Sequence, residues 1–171
     1  MPMVKKKGVG EQALVVPIEL STAGVIGFAI RSEYDAFRFY SAMSERVSDA
    51  ALSRMLQDLA AAELKHMERL QAFFSQLSPG SHADAVGRIR AGTMGYLSID
   101  KRLGPLAKMG EIEVVTVAMW EELRARDFYA GALRDADEKP LQEILEWLVG
   151  MEDEHFKMLQ RFRERSIEWA T

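Results

Sequence analysis

Acidic residues stand in this chain where a helix bundle ordinarily carries leucine, and they do so twice in the same arrangement. Leu52, Leu56, Leu59, Glu63, His66, Leu70, Phe73 and Leu77 follow one another in alternating steps of 4 and 3. Leu141, Leu145, Leu148, Glu152, His155, Leu159, Phe162 and Ser166 repeat those steps. Such spacing puts every member on one helix face, and a face this apolar belongs in a core. Two further lines behave likewise: Ile26, Ile30, Glu33, Phe37, Tyr40, Ser44, Val47, and Val115, Met119, Glu122, Arg126, Tyr129, Leu133, Ala136. An ionised carboxylate in a dry core costs several kcal/mol unless it is paired or bound to a metal. Four glutamates cannot be neutralised by two histidines, whereas a pair of divalent or trivalent cations can do so.

The spacing between the lines is also duplicated. Glu33 precedes Glu63 by 30 residues and Glu122 precedes Glu152 by 30, and each second glutamate opens a Glu-x-x-His turn ending at His66 or His155. Ala36, Phe39 and Tyr40 correspond to Ala125, Phe128 and Tyr129. Glu33 and Glu63 lie 15 residues either side of Ser48, as Glu122 and Glu152 lie either side of Asp137. At a rise of 1.5 Å per residue, both members of each antiparallel pair sit about 22 Å from their own hairpin turn, hence at one level. The pattern predicts an all-α four-helix bundle of two hairpins with a carboxylate-bridged two-metal centre inside it.

Ser21 or Thr22 is the expected cap of a helix to about Val47, and Ser48 the cap of a second from about Asp49 to Leu77, stopped by Pro79-Gly80. A third helix is expected from about Gly110 to Ala136, and a fourth from the Asp135–Pro140 turn to about Ile167. Residues 1–20 read as an N-terminal arm and residues 21–171 as the bundle. The glycine-bearing stretch 78–109 reads as a long crossover, leaving helices two and three parallel, with short helix expected near 83–90 or 98–106.

Composition removes other chemistries. The absence of cysteine rules out disulfides, iron–sulfur clusters, zinc-thiolate sites and thiol redox chemistry within this chain. A net charge of −4, with no basic stripe beyond Lys5–Lys7, argues against nucleic-acid binding. No run approaches a membrane span, and Glu11, Pro17 and Glu19 interrupt any signal-peptide core, so a cytoplasmic protein is expected.

Other residues near the pattern admit two readings. Tyr40 and Tyr129 either hydrogen-bond ligand carboxylates or carry an oxidising equivalent, or else pack as buried aromatics. Arg126 either neutralises a carboxylate near the centre or extends to solvent. Trp120 reads as packing, His82 as a surface residue, and Asp153 and Glu154 as solvated; Glu122 rather than Glu121 matches Glu33.

The Ala-x-x-x-Glu-x-x-Ala-x-x-Phe-Tyr pattern at Ala29–Tyr40, its echo at Ala118–Tyr129 and the two Glu-x-x-His turns resemble the ferritin-like superfamily, and within it the rubrerythrin-like diiron proteins. The resemblance covers roughly residues 21–167. It implies that Glu33, Glu63, His66, Glu122, Glu152 and His155 bind two iron ions, with Glu63 and Glu152 bridging, and that the reduced centre reacts with peroxide or dioxygen. Oxygen and nitrogen donors suit iron or manganese over soft metals. Three departures stand out. The four-cysteine rubredoxin-type centre of rubrerythrins is missing, so the electron donor is a separate protein or the turnover is not a peroxidase cycle. The glutamate those proteins carry one turn beyond the third-helix ligand is Ala125 here, and the haem-binding methionine of bacterioferritins is Leu64, so no haem is expected. A homodimer is the default assembly. Ferroxidase-type iron sequestration in a ferritin-like cage, and a structural metal-binding module, are the rival readings.

Overall fold

A computed structural model describes residues 21–77 and 108–168 of the 171-residue chain. The N-terminal arm, His82 and nearly all of the expected 78–109 crossover lie outside the described residues.

Four helices account for the described residues: α1 (Thr22–Ser44), α2 (Ala50–Ser75), α3 (Glu111–Arg134) and α4 (Lys139–Glu168). Local chemistry fixes their starts. The Ser21 hydroxyl accepts a hydrogen bond from the Gly24 amide at 3.2 Å, as expected for the α1 cap. For α2 the cap is Asp49, not Ser48. Its carboxylate accepts from the Ala51 and Leu52 amides at 2.8 and 2.7 Å, and a carboxylate serves the positive end of a helix better than a hydroxyl. Glu113 accepts from the Gly110 amide at the start of α3. Pro140 falls in the first turn of α4, where its missing N–H costs no helical bond.

Two sets of tertiary bonds give the helix directions. The Ser48 and Asp49 amides donate to Glu111, so α2 and α3 begin at the same end of the bundle. Thr22 donates to Glu138, so α1 and α4 begin together at the other end. Helices two and three therefore run parallel. The hairpins α1–α2 and α3–α4 form the closest helix pairs, and they meet through α1 against α3 and α2 against α4.

The core lies in two apolar layers. One gathers Phe39, Met43, Leu52, Leu56, Leu59, Val115, Ala118 and Leu159. The other gathers Ile26, Ala29, Leu70, Leu141, Leu145 and Leu148, with Phe128 packed on it. Along α2 and α4 the expected inward lines hold from Leu52 to Leu70 and from Leu141 to Leu159, while Phe73, Leu77, Phe162 and Ser166 are half-buried near the helix ends. On α1 and α3 the buried stripe is rotated. Ala29 and Ala118 are fully buried, whereas Ile30, Phe37 and Arg126 are only half-buried. Ile30 and Phe37 pack against the core from its margin. Trp120, expected to pack, is 62% exposed among the described residues.

Candidate metal centre

All six residues of the duplicated pattern meet in the middle of the bundle between the apolar layers. Glu33, Glu63, His66, Glu122, Glu152 and His155 are each at most 3% exposed. One comes from α1, two from α2, one from α3 and two from α4, which is the arrangement the symmetric hairpins require. Their donor atoms fall into two sets, Glu33–Glu63–His66–Glu152 and Glu63–Glu122–Glu152–His155, each within 4.8 Å. Glu63 and Glu152 belong to both sets. The imidazoles present Nδ1 inward and stack at 5.2 Å between centroids, 13° from parallel.

His66 Nδ1 lies 3.0 Å from Glu33 and 3.1 Å from Glu63. His155 Nδ1 lies 3.0 Å from Glu63 Oε1, 3.5 Å from Glu122 and 3.6 Å from Glu152. Yet His155 Nδ1, Glu63 Oε1 and Glu152 Oε1 are aligned for no hydrogen bond, although all three are buried. These atoms converge on shared space rather than on one another. Buried polar atoms in native proteins are nearly always satisfied, and a cation between them would satisfy all three together.

Electrostatics tell the same story. Burial pushes the Glu33 carboxyl up, and the neighbouring Glu63 charge carries it to about 8. Burial likewise raises Glu152 well above the carboxylate range, with the Glu33 and Glu63 charges adding to it. Glu63 would also rise on burial, but the imidazoles of His155 and His66 outweigh this and hold it at about 2. Burial lowers His66, yet hydrogen bonding to Glu33 and Glu63 takes it up to about 9. His155 is opposed by burial and raised still further by Glu122, Glu152 and Glu63. Without a cation, the cluster holds its carboxylates together only by retaining protons. Four carboxylates and two neutral imidazoles would instead be balanced by two divalent ions, and the oxygen and nitrogen donors fit such a pair.

Tyr40 and Tyr129 reach across the α1–α3 interface. The Tyr40 hydroxyl donates to Glu122 and the Tyr129 hydroxyl donates to Glu33, each tyrosine serving the other hairpin's glutamate. Burial, then the charges of Glu122 and Glu33 respectively, raise both phenols well above their usual value, so they remain donors. This second contact of each terminal glutamate fixes its orientation. Arg126 turns away from the centre and pairs with Asp127 at 2.8 Å and Asp153 at 3.7 Å. Asp153 is 37% exposed and Glu154 63%, both facing solvent as expected.

Sequence reasoning missed two features. Trp147 meets the His66 ring edge-on at 5.1 Å and is covered by the Arg69 guanidinium at 4.0 Å. Position 147 is off the heptad line, one residue before Leu148, and nothing in the spacing marks it. Asp35 is also buried, and it borders a cavity that reaches Glu33, Glu63, Glu122 and Glu152. Its only sequence signal is an i,i+4 pairing with Arg31.

The rubrerythrin family profile matches residues 25–163. No curated protein matches the sequence. Among solved structures, a hypothetical protein from Pyrococcus furiosus is 23% identical, covers 88% of this chain and 92% of its own, and superimposes with a TM-score of 0.63. Wild-type KatB, a manganese catalase from Anabaena, is 17% identical, covers 96% of this chain and 80% of its own, with a TM-score of 0.65. At these identities the likeness is one of fold. Among the described residues no helix is long and apolar enough to cross a membrane.

Proposed function

The chain belongs to the rubrerythrin family, and on that premise we propose that it is a non-haem diiron protein that reduces hydrogen peroxide or dioxygen. The observation that carries this reading is the pair of donor sets sharing Glu63 and Glu152. Glu33 and His66 would hold one ion and Glu122 and His155 the other, with Glu63 and Glu152, which belong to both sets, available to each. Manganese is the alternative metal, supported by the shared fold of a manganese catalase and by the same donor chemistry.

When bound, the reduced metal pair supplies the two electrons that, with two protons, convert hydrogen peroxide to two waters. The chain's own residues supply the setting for this. Two apolar layers exclude bulk water from either end of the cluster. The Tyr40 and Tyr129 hydroxyls hold the Glu122 and Glu33 carboxylates in place. With no cysteine for a rubredoxin-type centre, the electrons that restore the reduced state come from a separate donor protein.

The test is anaerobic loading with ferrous iron, then rapid mixing with peroxide or with dioxygen while optical absorption is followed. The reading predicts oxidation faster than that of free ferrous iron and loss of this rate in Glu63→Ala. Oxidation no faster than in protein-free buffer would refute it.

A further inference from the structure

The two halves of the centre carry the same donors but different neighbours. Glu33 and Glu122, Glu63 and Glu152, and His66 and His155 are each 89 residues apart. By that offset Trp147 corresponds to Asp58, and Arg69 to Met158. Trp147 of α4 meets the His66 ring edge-on at 5.1 Å, with 83° between the planes. The Arg69 guanidinium lies over the indole at 4.0 Å. In the other half, Asp58 and Met158 are both exposed, and neither offers a ring.

Edge-on contact is an arrangement that aromatic quadrupoles favour, and a cation over the indole adds a second attraction. The half-buried Trp147 is thus held between an exposed guanidinium and a buried imidazole. His66 in turn has Trp147 against it as well as the stacked His155 ring. Its Nδ1 is aligned with Glu33 and Glu63 at 3.0 and 3.1 Å, whereas the buried Nδ1 of His155 is aligned with no partner. The two imidazoles therefore differ in how firmly their rings are set. Binding an ion to a loosely held ring costs the entropy of ordering it, a cost that a ring already fixed by the fold does not incur again. Because Glu63 and Glu152 belong to both donor sets, the carboxylates do not distinguish the halves as the rings do.

Resting on the two-metal reading above, we propose that Trp147, capped by Arg69, is a positioning residue that holds the His66 ring ready for metal, so that the ion at Glu33 and His66 binds first and the two metal positions are inequivalent. Trp147 touches no metal and takes part in no bond change; it acts through His66.

The test is anaerobic titration of the metal-free protein with manganous ion, with calorimetry giving the two stepwise dissociation constants. Trp120→Phe combined with Trp169→Phe leaves Trp147 as the one tryptophan of the chain, so its emission reports on the His66 half. That emission should change almost wholly with the first ion per chain and little with the second. Ordering one side chain corresponds to roughly a twofold to tenfold effect. Trp147→Leu should therefore raise the first dissociation constant by about that factor and leave the second nearly unchanged. Trp147→Phe keeps a ring and should recover most of the loss. Arg69→Met, which installs the residue of the other half at an exposed position, should fall between wild type and Trp147→Leu.

Emission that changes equally over both ions, or only with the second, would overturn the role of Trp147. So would a first constant unchanged in both Trp147→Leu and Arg69→Met, or an equal weakening of both steps, which a merely structural role would give. If Trp147→Leu does not fold, Arg69→Met and the emission titration decide. Wild-type protein that binds no ion, or only one, would instead overturn the two-metal reading on which this role rests.

Discussion

Loading the centre with metal should release protons, and the structure gives their number. In the metal-free cluster His66, raised to about 9, and His155, raised further, are both protonated at neutral pH. Glu33, near 8, and Glu152, well above its usual value, keep their protons as well. Glu63, near 2, does not. Two imidazolium and two carboxyl protons make about four, which two divalent ions replace without changing the net charge of a buried site. Titrating the metal-free protein anaerobically at pH 7 with ferrous or manganous ions, in buffers of differing ionisation enthalpy, measures this count by calorimetry. About four protons should leave per metal pair. The apparent affinity for the pair should rise by about four powers of ten per pH unit below pH 7, and less steeply as Glu33 and His66 lose their protons through about 8 and 9. Fewer than two protons released at pH 7 would refute the protonated-cluster argument.

Further outcomes follow from the same contacts. The raised values of Glu33 and His66 stabilise the metal-free fold most fully below their unfolded values. That stabilisation is lost as pH rises through about 8 and 9, so melting temperature should fall from pH 6 to pH 9.5 in metal-free protein and much less in loaded protein. Tyr40→Phe and Tyr129→Phe each take one donor from a buried carboxylate and should cost about 1–3 kcal/mol of stability. Chemical denaturation checks this, and near-equal losses are expected from the pseudo-symmetric contacts. Trp120→Ser should change stability by less than about 0.5 kcal/mol, because the side chain is largely exposed, whereas Leu56→Ala in the sealed core should cost about 2–5 kcal/mol.

The donor cluster was legible because the two Glu-x-x-His turns sit on unbroken leucine lines, so helical period and metal chemistry make the same demand at Glu63, His66, Glu152 and His155. The turn symmetry about Ser48 and Asp137 added the level of Glu33 and Glu122. Less could be read from α1 and α3, whose shorter lines mix small and large residues. There Ala29 and Ala118 are fully buried while Ile30 and Arg126 are only half-buried, a difference the period alone does not give. That Tyr40 serves Glu122 and Tyr129 serves Glu33 depends on the antiparallel meeting of two hairpins, a tertiary fact no local spacing encodes. Asp35 is buried beside a cavity lined from all four helices, and nothing in the pattern of α1 alone marks it. The choice of Asp49 over Ser48 as the α2 cap shows a finer limit, since two adjacent residues are both able to cap.

The central claim is that six buried side chains form one two-metal site. Elemental analysis after anaerobic reconstitution and removal of loose ions tests it most directly, with wild type and Glu63→Ala side by side. Wild type should hold about two iron or manganese ions per chain. Because Glu63 belongs to both donor sets, both ions should be lost in the variant. Wild-type protein with no retained metal, or a variant that keeps both ions, would contradict it.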